Sequence, residues 1–583
     1  MKKNDFIIVG ILVVLMFGWM RFYPALEKKY FPKPEQPVEQ TAPAEDAEVV
    51  APVLSEPVDA VVEKAAEAAA EAVAEVAAVE MPDVPEAFQT LSNETIELTL
   101  SSYGGAVVSA VLKDYPERNT DDSGPVVLDF ASAPALRYDG LALTAGTFSE
   151  IDGGFLYTTS LGSGRLLKRT LRLEGEYLLT VQDEFINASD VPWALPELRL
   201  PTGPMSNAEG TSAMKGVTTL GIDTFAPAIG VSHWGKKFRK MQKGVQAFSS
   251  ASVSAEIVNS QPVDWIAAKS KFFVQILTPE EQGTATGFDF FVRRDGEGKK
   301  MEEAEVSGAL LFDPELIGAD ETFTRTVRTY IGPKDFGFLK TQGMEQTEVM
   351  EFKSTGMWKF MNPVMYPIKK ALLWGLIHFA VFGSYGIAIL ILTVIVRVIF
   401  WPLTHKSTES MKRMQALQPQ MAAIKEKHKD NPQLMQQKTM ALYKENKVNP
   451  MGGCLPMFVQ IPVFIALFAV LRSAIELRYS SFLWINDLSE PENLFAGMVP
   501  VVGSLNILPI LMAATMMWQQ KLTTGANAAA TPEQKQQQKM MAVMMPIMML
   551  FFFYSMPSGL VLYWTTSQVL MIAQLLMKKK KEA

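Results

Sequence analysis

The sequence predicts a multi-domain membrane protein: a six-span α-helical membrane part joined to a large antiparallel β-sandwich on the outer side of the membrane. Three observations predict it. Long apolar runs are confined to the N-terminus and to roughly the last 200 residues. About 245 residues between them alternate apolar and polar with period two. Basic residues collect in every other segment between the runs, as one membrane orientation requires. The formal charge of −8 therefore averages parts that lie in different solvents and identifies no partner.

Lys2 and Lys3 precede an apolar run from Phe6 to about Tyr23. A cleaved signal peptide has the same beginning. Here the run ends in bulky Trp19, Met20, Arg21, Phe22 and Tyr23 rather than small residues, so 1–26 is read as an uncleaved transmembrane anchor. Residues 27–90 form an acidic tether, with fourteen Asp or Glu and one basic residue, Lys64, between Glu35 and Glu86. Such a composition buries too little apolar surface to offset the entropy of ordering.

The β-sandwich is assigned to 91–340. In Leu167–Leu173, Lys168, Thr170 and Arg172 alternate with Leu167, Leu171 and Leu173. Beyond Gly175, Tyr177, Leu179 and Val181 alternate with Leu178, Thr180 and Gln182, which makes the pair a hairpin. Ile96–Leu100, Phe288–Val292 and Arg325–Ile331 read as further strands. With His233 as its single histidine and no G-x-S-x-G motif, this domain reads as a binding or spacing module, not an enzyme.

Residues 341–382 follow as an interfacial amphipathic helix in which Trp358, Phe360, Tyr366 and Trp374 accompany Lys369 and Lys370. The interruption Gly383-Ser384-Tyr385-Gly386 then opens the second span, 383–403. The remaining spans are placed at 451–478, 499–518, 540–556 and 557–577. Between them lie a helical hairpin at 404–450, an outer loop at 479–498 and a second inner loop at 519–539. A basic tail, 578–583, ends the chain. The hairpin carries nine Lys or Arg against four Asp or Glu, and the tail Lys578–Lys581; Ser480–Asn493 has Asp487, Glu490 and Glu492 with no Lys or Arg. Basic segments belong inside, so both termini are placed inside and the β-domain outside. In the hairpin, Asn431 is expected to cap a second arm starting at Pro432.

Arg397 stands out, about ten residues into the second span and so roughly 15 Å deep. An arginine at that depth costs on the order of 3 kcal/mol or more. Either its long side chain snorkels to the inner surface, or it faces a water-filled cavity open to that side. No carboxylate in another span is an evident partner. Thr393, one turn earlier, can share its face, and Gln460, between Pro456 and Pro462, adds a polar group to the third span. Arg472 and Glu476, four apart, are expected to form a local ion pair. Met544, Met545 and Met548 lie on a methionine stripe of the fifth span, and Met512 and Met516 on the fourth. Methionine suits surfaces that accept varied apolar partners, although lipid contact or bundle packing explains the stripe as well.

The single cysteine, Cys454, rules out an intramolecular disulfide. Four histidines and that cysteine make a poor zinc set, and no G-x-x-x-x-G-K-[ST] motif offers a nucleotide site. A secondary transporter would show internal repeats and paired titratable groups; a scaffold or assembly chaperone would bind membrane helices without inserting them.

The chain resembles the bacterial YidC branch of the YidC/Oxa1/Alb3 insertase family. The stretches that carry the resemblance are Ile395-Val-Arg-Val-Ile-Phe-Trp-Pro-Leu403, Lys447-Val-Asn-Pro-Met-Gly-Gly-Cys-Leu-Pro456 and Met556-Pro-Ser-Gly-Leu-Val-Leu-Tyr563. Leu508-Pro-Ile-Leu-Met512 and Trp484-Ile-Asn-Asp-Leu488 agree. The resemblance implies a Gram-negative inner-membrane insertase and chaperone for membrane proteins, without a cofactor, acting alone or with the Sec translocon. It implies a periplasmic β-supersandwich similar to galactose mutarotase, whose activity does not carry over because its catalytic set is not evident here. It also implies a five-helix core enclosing a hydrophilic groove in which Arg397 attracts acidic residues of a substrate's exported tail. Tyr563 belongs to that groove. The family often carries a second tyrosine next, where this chain has Trp564, which keeps a packing role against a substrate helix. The hairpin is implied in recruiting substrates, and basic loops and tail in ribosome contact.

Overall fold

The computed structural model describes residues 85–120, 122–207, 220–234, 252–295, 302–353, 361–429, 431–446, 448, 455–499, 503–524 and 532–582. The expected N-terminal anchor, nearly all of the tether, Trp358, Phe360 and Cys454 lie outside them.

Every strand pairing in the β-domain is antiparallel. A nine-stranded sheet runs in spatial order 230–233, 221–226, 265–269, 273–279, 322–333, 178–187, 165–174, 154–162 and 147–151. Two four-stranded sheets accompany it: 88–92 to 125–129 in sequence order, and 198–201, 302–312, 287–295, 252–259. The first strand starts at Phe88, just inside the expected tether, because the acidic run ends at Glu86 and Leu91 already enters the core.

The strand Leu178–Asn187 alternates half-buried and buried along its whole length. Two central strands, Trp265–Lys269 and Phe273–Pro279, are buried on both faces. One face meets the smaller sheets: Ile266 packs beside Gly308, and Gln275 bonds both the amide and the carbonyl of Gly203. The other face is covered by a strap at 336–352. Trp265 donates to the Met344 carbonyl at 2.8 Å, Gln346 to Thr278 Oγ1 at 3.1 Å, and Lys269 to the Val349 carbonyl at 3.1 Å. Burial alone would lower the Lys269 pKa, but Asp223 and Glu351 more than offset that and hold the ammonium above its ordinary value.

Among the described residues, ten α-helices follow from the strap onward: α1 (Phe336–Gln342), α2 (Asn362–Phe379), α3 (Tyr385–Ile399), α4 (Trp401–Ala416), α5 (Gln418–Lys427), α6 (Pro432–Glu445), α7 (Leu455–Ser473), α8 (Ile507–Thr524), α9 (Pro532–Phe553) and α10 (Ser558–Glu582). Among the described residues, Asn362–Phe382 and Ser558–Met577 are long and apolar enough to cross a membrane. α3, Gln460–Ser473 of α7 and Ala542–Phe553 of α9 are shorter apolar helices. The N-terminal half of α2 is fastened to the strap, with Lys369 donating to the Phe352 carbonyl at 2.7 Å. Lys370 lies 4.2 Å from the ring centroid of Tyr366 and 5.8 Å from that of Phe336.

Ser384 caps α3 by accepting from the Ile387 amide at 3.2 Å. Two residues on, Gly386 permits a close approach, since a Cβ there would lie 2.1 Å from the Phe482 ring. Gly386→Leu is expected to destabilise the protein by about 1–3 kcal/mol through overpacking. Thermal unfolding of the purified chain measures this, and adding Phe482→Ala should recover part of the loss. At the hairpin tip, Asn431 accepts from the Leu434 amide at 3.0 Å and Pro432 takes the first helical position of α6.

Three expectations fail here. The amphipathic helix expected over 341–382 starts only at Asn362 among the described residues, because 341–352 is taken up by the strap on the β-domain. The helix expected near Val499 does not start there; 494–499 and 503–505 pair instead as two short antiparallel strands. Positive φ occurs at Asn493, just before the first strand, at Phe495 within it and at Gly503, the first residue of the second. α8 begins only at Ile507, where the Glu492 carboxylate accepts from the Leu508 amide at 2.8 Å, a favourable place for an anion. Arg472 and Glu476 do not pair among the described residues. α7 ends at Ser473, Ala474 is extended (φ −73, ψ 115), and 475–477 is a 3-10 turn, so the four-residue helical spacing never forms.

The outer loop after α7 joins the two parts. Arg478 donates to the carbonyls of Pro116 and Glu117 at 2.8 and 3.1 Å, Tyr479 to Glu117 at 2.7 Å, and Asn119 to Asn486 at 3.0 Å. Lys271 pairs with Glu490, whose carbonyl accepts from the Ser558 amide at the head of α10.

Candidate functional site

α3 packs against α10, where Ile389 lies beside Gly559, and Gly386, Ala388, Ile389 and Thr393 of α3 are buried. One turn beyond Thr393, Arg397 reaches α10. Its Nε donates to Ser567 Oγ at 2.8 Å, one terminal nitrogen to the Ser567 carbonyl at 2.7 Å, and the other to Met571 Sδ at 3.7 Å. No carboxylate lies within ion-pair distance of Arg397 among the described residues. A guanidinium has five N–H donors; these contacts engage Nε–H and one N–H of each terminal nitrogen, and the sulfur contact is weak.

Ser567 lies one turn along α10 from Tyr563 and Met571 one turn further, so the three share a face. Tyr563, 1% exposed, accepts a hydrogen bond from the Gln460 amide of α7. The neighbouring stripe of α10 is Trp564 and Gln568. Trp564 packs edge-on against Phe464 (centroids 5.2 Å apart, rings at 87°) and against Phe553 at 5.4 Å. Its indole N–H is buried without a partner, so Trp564 serves here through its rings. Gln568 accepts from Thr515 of α8 at 2.8 Å.

The structure thus brings together Arg397, Gln460, Tyr563 and Trp564 around α10. Thr393 stands apart: it is fully buried, and its hydroxyl donates to the Ile389 carbonyl of its own helix at 2.6 Å. The methionines divide. Met512 is fully buried in the bundle, Met516, Met544 and Met545 are half-buried, and Met548 is exposed beside Ile547, Phe551 and Phe552. Sequence reasoning missed Ser567, Gln568 and Thr515. The signal was present: in the apolar run 559–577, Ser567 and Gln568 follow Tyr563 and Trp564 at four-residue spacing.

Comparison with known proteins follows the same division of the chain. A family model described as "60Kd inner membrane protein" matches residues 377–583, and one described as "YidC periplasmic domain" matches 155–362. A "Membrane protein insertase YidC" of Pelobacter propionicus is 33% identical over 446 residues, covering 72% of this chain and 74% of the relative. A protein of the same description from Prosthecochloris aestuarii is 30% identical over 552 residues, covering 89% of this chain and 85% of the relative. A crystal structure of an active YidC insertase with its first transmembrane domain resolved covers 88% of this chain and 99% of its own. It is 18% identical with a TM-score of 0.34, too loose an overlay to bear on the fold.

Proposed function

This chain belongs to the YidC family of membrane protein insertases, and from that premise we propose that Arg397 is the transient partner of acidic residues in the exported tail of a substrate. The protein is an insertase of the inner membrane, with a helical membrane part and a periplasmic β-sandwich domain; its clients are membrane proteins, its medium is the lipid bilayer, and it is not an enzyme. The observation that carries the arginine reading is a guanidinium bonded to Ser567 and Met571 with no carboxylate beside it among the described residues. Such a cation is positioned by its neighbours yet left with charge to offer.

In this reading a substrate's short polar tail enters a hydrophilic groove lined by Arg397, Gln460, Tyr563 and Trp564, with the fully buried Thr393 behind it. Its apolar helix slides past Met516, Met544, Met545 and Met548 into lipid. Burial of about twenty apolar residues drives the step, and the groove lowers the barrier for the tail. The exposed Met548, Ile547, Phe551 and Phe552 support an apolar flank on α9; the buried Met512 would support it from behind.

Six spans with both termini inside, an interfacial α2, and contacts with the Sec translocon and ribosome through basic loops and tail complete the proposal. The attachment of Lys369 and Lys370 to the strap supports an α2 held at the outer surface. Photocrosslinkers placed at Gln460 and Trp564 test the path: adducts with a nascent single-span substrate are expected. Adducts confined to surface positions such as Lys521 would reject it. Reconstitution of the purified chain separates an insertase from a scaffold, which would crosslink to substrate and insert nothing.

A further inference from the structure

The seam between the β-domain and the outer end of α7 holds charges that the insertion site does not use. Lys271 and Lys334 from the β-domain, Glu351 from the strap, and Arg472 and Ser473 from α7 line a cavity of about 20 Å³. That is room for about one particle of water's size. The charges around it do not balance. Lys271 is paired with Glu490, and Glu351 with Lys269. Arg472 has no carboxylate within ion-pair distance among the described residues. Lys334, 5% exposed, donates to the Lys271 carbonyl at 3.3 Å. The Ser473 hydroxyl is turned back on the Ala469 carbonyl at 2.8 Å.

Two cations facing one small space, with the Glu351 carboxylate already shared with Lys269, are costly, and a small anion between them offsets the cost directly. We propose that this cavity, where Lys334 of the β-domain meets Arg472 of α7, binds a small monovalent anion of the chloride type and so ties the β-domain to the membrane helices. The small volume favours a monovalent ion over a phosphate or a lipid headgroup. Glu351 faces the same space, but Asp223 and Glu351 share Lys269, so these two carboxylates stand against three cations, Lys269, Lys334 and Arg472, and one positive charge remains in excess. Burial, with Lys269 and Arg472 nearby, pushes the Lys334 pKa well down; a bound anion would restore its charged form. Nothing in this inference depends on how substrates use Arg397.

Thermal unfolding of the purified full chain in chloride and in gluconate, at equal ionic strength and pH, tests the proposal. A saturable rise in unfolding temperature with chloride, and likewise with bromide, is expected because the anion binds the folded state alone. Arg472→Gln should abolish the rise, and Arg472→Lys should keep a weaker one. Equal temperatures in the two salts, or an undiminished rise in Arg472→Gln, would overturn the proposal and leave the cavity to water. Should Arg472→Gln fail to fold, bromide-soaked crystals of the unaltered chain decide. An anomalous peak between Lys334 and Arg472 supports the site, and none at that position refutes it.

Discussion

Arg397→Ala is expected to cut insertion of a single-span substrate with an acidic tail by about tenfold to a hundredfold, which matches the roughly 1.5–3 kcal/mol of a charge-assisted hydrogen bond. A reconstituted liposome assay with purified protein measures it directly. Two companions sharpen the result. Substrates whose tails lack acidic residues should be nearly indifferent to the change. Arg397→Lys should fall between, because lysine keeps the charge but cannot reproduce the two-point attachment to Ser567. Equal losses for acidic and neutral tails would show that the residue acts through packing of α3 on α10, and the proposal of a substrate counter-ion would fall.

The second large effect lies in the β-domain. Arg169 and Asp183 face each other across adjacent strands, with 0% and 1% of their side chains exposed. The guanidinium donates to both carboxylate oxygens, at 2.6 and 3.0 Å, and to the carbonyls of Gly104 and Leu136. Burial by itself lowers the Arg169 pKa, but Asp183 more than offsets that and holds it above its ordinary value. Asp183→Ala strands a buried cation and is expected to cost about 3–5 kcal/mol. Thermal unfolding and protease susceptibility of the full chain report it. Replacing both members, Arg169→Met with Asp183→Leu, should restore most of the loss. A single substitution as mild as a surface change would mean that water reaches the site.

That pair also shows how far the sequence can be read. The period-two pattern at 167–173 located a strand, and the structure has one at Arg165–Glu174 with Leu167 and Leu171 inward. The same register turns Arg169 inward, between them. Alternation announces a buried charge there but cannot name its partner, because Asp183 is supplied by the pairing register of the next strand. Arg397 repeats the lesson on helices. Hydropathy and depth single it out, whereas Ser567, 170 positions away, is chosen by how α3 packs on α10. The strand pair 494–499 and 503–505 was missed for a local reason. Leu494, Phe495 and Val499 look apolar enough to begin a span, and nothing in that composition announces positive φ at Asn493 and Phe495. Arg472 and Glu476 erred similarly: spacing predicts a pair only while the helix continues, and α7 stops one residue past the arginine.

The joint between the β-domain and the outer loop has an evolutionary consequence. Arg478 and Tyr479 bind the main-chain carbonyls of Pro116 and Glu117, and Asn119 binds that of Asn486. A carbonyl is the same whatever side chain its residue carries. Positions 116, 117 and 486 can therefore drift among relatives without loosening these bonds, provided the local backbone is kept. Correlated substitutions across the joint should be sparse, with signal concentrated on the side-chain contacts of Lys271 with Glu490 and of Arg478 with Phe272 and Phe273. A contact that holds two domains together would then leave almost no trace in the covariation of their sequences.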